Sequence, residues 1–195
     1  SGTTTINAGA ANNATLNNAA NNFGTVAVTS GNNVTVRDTN ALVLGTSTVS
    51  GNLNVTTGGA VTQSGALAVT GLTTVAAGAN NITLTNAAND FSTVGITSGN
   101  NVALRDANAL DLAASTVSGT LGVTTAGAIT QSGALNVAGT TTLAAGAANN
   151  ITLNNAGNIF STVGITNGNN VTLQDSTALN LAASTVSGAL NVTAN

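Results

Sequence analysis

The 195-residue sequence carries 35 Ala, 35 Thr, 31 Asn and 23 Gly, so four small residue types fill 124 positions. Cys, His, Pro, Trp, Tyr, Met, Lys and Glu are absent, and two Arg against five Asp give a formal net charge of −3. This excludes a disulfide framework, a zinc centre, a thiol nucleophile and a histidine base, and two cations cannot match the phosphate lattice of a nucleic acid.

Residues 1–22 open without Met and read as the tail of a preceding copy, so the chain is expected to be a segment of a longer array. A copy then starts at Phe23 with FGTVAVTSGNNVTVRDTNALVLGTSTVSGNLNVTT. A second starts at Phe91 with FSTVGITSGNNVALRDANALDLAASTVSGTLGVTT, and a partial third runs from Phe160. The second spacing exceeds the first by a single residue, which lies in the turn GAANN near Ala148, against GANN near Ala79. The expected organisation is one continuous segment: 1–22 partial copy, 23–90 copy, 91–159 copy, 160–195 partial copy.

Inside each copy the triplets ITL, VGI, VAL, LDL, LGV and LNV, with STV, AIT and TTL, alternate apolar and variable positions between Gly, Asn and Ser punctuation. That is the signature of short half-buried strands and tight turns, about nine per copy. Residues 91–126 and 160–195 differ at ten of 36 positions, yet every Val, Ile, Leu and Phe is unchanged. The predicted inward set is therefore Phe91, Val94, Ile96, Val102, Leu104, Leu110, Leu112, Val117, Leu121 and Val123. No helical periodicity appears, and the longest apolar run, 41–44, is far short of the roughly 20 residues of a spanning helix. No membrane insertion is expected.

Repetition of short strands points to an all-β parallel solenoid, in which each coil covers the apolar stripe of its neighbour. Asn32 and Asn33 follow the pair Asn12–Asn13; the same interval links Asn80 and Asn81 to Asn100 and Asn101, and Asn149 and Asn150 to Asn169 and Asn170. That interval, roughly 20 residues, suits a triangular coil, and these Asn are candidates for turns or a hydrogen-bonded ladder along the axis. The rest of each copy, TLGVTTAGAITQSGALNVAGTTTLAAGA, reads as one long coil. This gives about three coils per repeat, although slightly more than three equal coils fit as well. Absence of a strict hexapeptide rhythm favours a right-handed path.

The strings NNITLTNAANDF, ALDLAASTVSGTLGVTTAGAITQSGAL and TTTLAAGA resemble the repeat arrays of filamentous-haemagglutinin-type bacterial surface proteins over essentially the whole chain. The resemblance implies a right-handed parallel β-helix, export to the cell surface by two-partner secretion, and service as an adhesin shaft or matrix filament. It supplies no catalytic residue.

The equivalent pairs Arg37–Asp38 and Arg105–Asp106, with Gln174–Asp175 in the third copy, read either as a docking stripe on one face or as solvated turns in which Asp caps backbone donors. Loss of the Arg in one copy favours the turn. No Asp follows a calcium-binding nonapeptide, so no metal or cofactor is expected. The sequence thus points to a non-catalytic extracellular or cell-surface rod whose partners are neighbouring repeats. Two alternatives are a flat face for a host or surface glycan or for ice, and a fibre of copies joined end to end or side by side.

Overall fold

Alternation of branched aliphatics with Thr, Asn and Ala leaves each strand one apolar edge, and that edge is covered only when the chain winds back over itself. The computed structural model describes residues 2–195, and its 22 strands form two eleven-stranded sheets in which every pairing is parallel. The all-β solenoid expected from the repeat is thus the observed architecture, with ten coils that each contribute one main strand to each sheet. At about 4.8 Å per coil the rod is roughly 45 Å long.

The first coil holds β1 (Thr3–Asn7) and β2 (Ala14–Leu16). One copy then runs through β3 (Thr25–Ser30), β4 (Val34–Asp38), β5 (Leu42–Leu44), β6 (Ser47–Val49), β7 (Leu53–Thr57), β8 (Val61–Gln63), β9 (Leu67–Ala76) and β10 (Ile82–Leu84). The next repeats the series as β11 (Asp90–Ser98), β12 (Val102–Asp106), β13 (Leu110–Leu112), β14 (Ser115–Val117), β15 (Leu121–Thr125), β16 (Ile129–Gln131), β17 (Leu135–Ala144) and β18 (Ile151–Leu153). The last copy supplies β19 (Ile159–Asn167), β20 (Val171–Gln174), β21 (Asn180–Leu181) and β22 (Leu190–Thr193). Eight strands per copy replace the nine expected, because the stretches around Leu67–Val69 and Thr73–Val75 join into the single long β9. Nor does the stretch from Thr120 to Ala147 form one long coil: it spreads over β15, β16 and β17.

Equivalent strands of successive copies lie in opposite sheets. β5 and β21 belong to one sheet and β13 to the other; β4 and β20 share a sheet that excludes β12. Each repeat therefore advances three and a half coils, refining the rounder count of three. Coil length explains the half. Beside the two sheets a short third side is built at one edge, stacking Gly31 under Val49, Val49 under Val69 and Val69 under Phe91, each sequence step longer than the one before. The chain of β11 then crosses to the opposite edge, where Gly99, Val117, Val137 and Phe160 stack with steps that lengthen in the same way. The coil widens turn by turn while its corner residue grows from Gly to Val to Phe. At the narrow end a Cβ on Gly99 would stand 2.8 Å from Ile82 Cδ1, so a larger residue there forces the core side chains of Ile82 and Val102 to shift.

One continuous apolar core fills the axis. Phe91, Val94, Ile96, Val102, Leu104, Leu110, Leu112, Val117, Leu121 and Val123 all lie in it, none more than 2% exposed. Thr73 and Thr141 interrupt its aliphatic columns, stacked between Leu53 and Val94 and between Leu121 and Val163 respectively. Both are fully buried, and neither Oγ1 has a hydrogen-bond partner. Ser115, also buried, accepts from the Ile96 N–H at 3.0 Å and donates to the Ala113 carbonyl at 2.9 Å. An unpaired buried hydroxyl costs about 1–3 kcal/mol. Thr73→Val should therefore raise unfolding stability by about 1–2 kcal/mol in a denaturant titration, while Ser115→Ala should lower it by a similar amount. Equal signs for the two would refute this assignment of the hydroxyls.

Candidate functional site

Because strands alternate their faces, Arg37 and Asp38 at the end of β4 point opposite ways: Arg37 is exposed and Asp38 is 3% exposed. The same holds for Arg105 and Asp106, and Asp175 is buried beside half-buried Gln174. The carboxylates are buried, not solvated, but they do cap backbone donors as the turn reading expected. Each carboxylate accepts two backbone N–H groups, one from the phenylalanine at the wide end of the tapered column and one from the residue two places further on. For Asp106 the donors are Phe91 at 2.6 Å and Asn108 at 2.8 Å; for Asp175 they are Phe160 at 3.1 Å and Thr177 at 3.0 Å. Asp38 serves Phe23 and Asn40 likewise. The third side ends at each phenylalanine, and the Asp supplies the acceptor that another strand would otherwise provide.

With their neighbouring carboxylates so engaged, the arginines cannot form one stripe. Arg37 and Gln174 sit in the sheet containing β4 and β20, Arg105 in the other. The half-coil advance moves them to opposite sides, which overturns the single-face docking stripe.

The paired Asn residues divide their roles. Asn33 donates its side-chain amide to Asn13 Oδ1 at 3.1 Å, and its own Oδ1 accepts the Asn52 N–H at 2.9 Å. Asn101 bonds Asn81, and Asn170 bonds Asn150, each at 3.3 Å. Asn52 Oδ1 in turn accepts the Leu72 N–H at 2.9 Å, whereas in the later copies Thr120 and Ala189 follow Asn101 and Asn170 and the Asn column stops at two rungs. Asn80 and Asn149 instead close their own turns onto the Ala77 and Ala145 carbonyls, beside the positive-φ Gly78 and Gly146. The main chain of Asn100 donates to Asn80 and that of Asn169 to Asn149, while Asn32 accepts from Gly51.

Two buried amides escaped the sequence reading. Asn89 is fully buried and fully engaged: its Oδ1 accepts from Gln63 Nε2 at 2.8 Å and from the Leu67 N–H at 3.0 Å. Its Nδ2 donates to Gln63 Oε1 at 3.0 Å and to the Leu84 and Arg105 carbonyls at 3.3 and 3.1 Å. Asn158 with Gln131 repeats the arrangement. The available signal was the matching Gln of TQSGAL and final Asn of NAAN or NAGN in both copies.

Outside the third side lies a shallow groove of ≈ 450 Å³, floored by β6, β9 and the start of β11 and roofed by Asn108 and Ala109. Among the described residues no three His, Cys, Asp or Glu side chains gather as a metal centre would require, and no helix is long and apolar enough to cross a membrane.

Burial lifts the Asp106 carboxyl above its ordinary value of 3.8; its two backbone donors oppose the rise, and the charge of Asp90 adds to it. A carboxyl raised in the folded state contributes stability that is full below 3.8 and lost as pH climbs through the folded value. Melting temperature should accordingly fall as pH rises from that value, and Asp106→Asn should flatten this segment while lowering stability overall by removing one acceptor. Asn89→Ala, which strands Gln63 and the Leu67 N–H, should cost roughly 2–4 kcal/mol in the same unfolding assay.

The family model described as repeats of unknown function (DUF5649) matches residues 1–30, 31–98, 99–167 and 168–195, the second internal unit one residue longer than the first. No curated protein and no solved structure gives a significant match. With the whole chain covered by successive matches, it belongs to the DUF5649 repeat family.

Proposed function

We propose that the chain is a stiff, non-catalytic segment of an extracellular rod, the shaft of a bacterial adhesin or surface filament. The observation that carries this reading is the single uninterrupted core running through ten coils. Each coil is bonded to the next through both sheets, so added sequence becomes added length. Load along the axis is shared by every backbone hydrogen bond between adjacent coils. The filamentous-haemagglutinin resemblance of the sequence supports a surface location and an exported chain.

The ice-binding alternative is weakened by the outward faces. The longest Thr column on the sheet of β16, β18 and β20 is Thr130, Thr152 and Thr172, followed by Asn191. Three rungs do not make an extended lattice.

Two repeats restore the starting orientation after seven coils, about 34 Å of axis. Deleting two whole repeats from the parent chain should shorten its reach from the cell surface by about 34 Å, read by electron microscopy or force probe, with adhesion specificity unchanged. Recovery of the parent from the cytoplasm, or unchanged reach, would count against the shaft.

A further inference from the structure

The groove on the third side is lined differently in the two copies whose floor rungs lie among the described residues, and only the one spanning residues 48–109 pairs a carboxylate with an amide at its top. Its floor presents Thr48 and Ser50 on one rung, Thr70 on the next, and Asp90 and Ser92 on the third. These side chains are exposed, while Val49, Val69 and Phe91 between them face the core. Asn108 closes the top, donating its Nδ2 to Asp90 Oδ1 at 2.9 Å. That bond orients the pair and leaves Asp90 Oδ2 and Asn108 Oδ1 as acceptors beside a column of hydroxyls.

We propose that this groove is a subsite for a neutral saccharide. Its ≈ 450 Å³ falls within the roughly 300–1,000 Å³ of small-molecule sites. No cation and no exposed aromatic ring lines it, and its carboxylate repels anions. A ligand offering several hydroxyl donors satisfies the carboxylate, the amide oxygen and the hydroxyl column together, whereas an ammonium group answers only to Asp90. The site stands apart from the shaft reading, since a rod of any role can carry it.

The next copy is a built-in control. At the place of Asp90 the next copy has Ile159, 41% exposed, and at the place of Asn108 it has Thr177. There Asn136 and Ala138 stand for Ala68 and Thr70. Of the preceding copy the chain holds only the upper rungs, where Asn22 and Asn40 stand at these two places, bonded at 3.0 Å. The half-coil advance puts the grooves of adjacent copies on opposite sides of the rod, so a saccharide-binding copy marks one side only.

Amide chemical shifts of the labelled chain, titrated with methyl glycosides of glucose, galactose and mannose and their β-linked disaccharides, test the assignment. At least one sugar should shift residues 48–50, 68–70, 90–92 and 108–109 in the millimolar range. Asp90→Ile with Asn108→Thr should weaken this at least tenfold. Because those residues already occupy the same places in the next copy, the variant should keep the parent's circular-dichroism spectrum and cooperative melting. Ile159→Asp with Thr177→Asn, Asn136→Ala and Ala138→Thr should create a second responding groove at residues 116–118, 136–138, 159–161 and 177–178. Silence of the parent chain toward all the sugars, persistence of the shifts in the Asp90→Ile, Asn108→Thr variant, or a response to N-acetyl-lysine amide in place of sugars overturns the proposal.

Discussion

Everything in this rod depends on matching the length of each coil to the side chain at its third corner. The shortest coil starts from glycine at that corner, the next from valine, and the longest closes on phenylalanine. Interiors tolerate neither voids nor overlap, so widening cannot continue indefinitely. The chain resets by crossing to the opposite edge and starting again from glycine. The half-coil advance of each repeat is the geometric consequence of that reset, and the sequence period is three coils plus one crossing.

The reset creates a polar problem that the sequence solves with buried side chains. At the wide end the backbone of Phe91 has no strand above it, and Asp106 takes the place of the missing acceptor. At the narrow end Ser47, Ser115 and Ser184 bridge to Val28, Ile96 and Ile165. Between these ends, Asn89 and Asn158 hold the long turns of the widest coils against the strands beside them. A chain with almost no charge thus concentrates its interior polar groups where the coil changes width, and satisfies nearly all of them. Thr73 and Thr141, the two hydroxyls left without partners, lie within aliphatic columns and away from these joints.

The core was legible in the sequence because period-two alternation is a local property: Val94 and Ile96, or Leu110 and Leu112, reveal their side by their neighbours alone. The half-coil advance was not. The interval from Phe23 to Phe91 divides into three coils or three and a half with similar ease, and the choice depends on pairings a whole coil apart in the chain. Nor does Arg105–Asp106 advertise a buried carboxylate, since an adjacent ion-forming pair looks like surface. Gln63 and Asn89, far apart in sequence, meet only after the coil length is known. The groove was hidden for the same reason, because its four rungs come from four successive coils.

The one-residue difference between the repeats shows which part of the molecule sets the register. The turn Gly146–Asn150 is longer by one residue than Gly78–Asn81, yet Val137 stacks on Phe160 just as Val69 stacks on Phe91. The additional residue is absorbed outside the core. There the longer turns reach further: Ala147 accepts a hydrogen bond from Ser187 two coils away, as Ala10 does from Ser50. Ser118, above the shorter turn, makes only the bond to the adjacent glycine carbonyl that Ser50 and Ser187 make as well. Turns can therefore lengthen, and outward residues can change from Asp to Ile, without disturbing the column. A rod organised this way can vary its surface copy by copy while the taper inside stays the same.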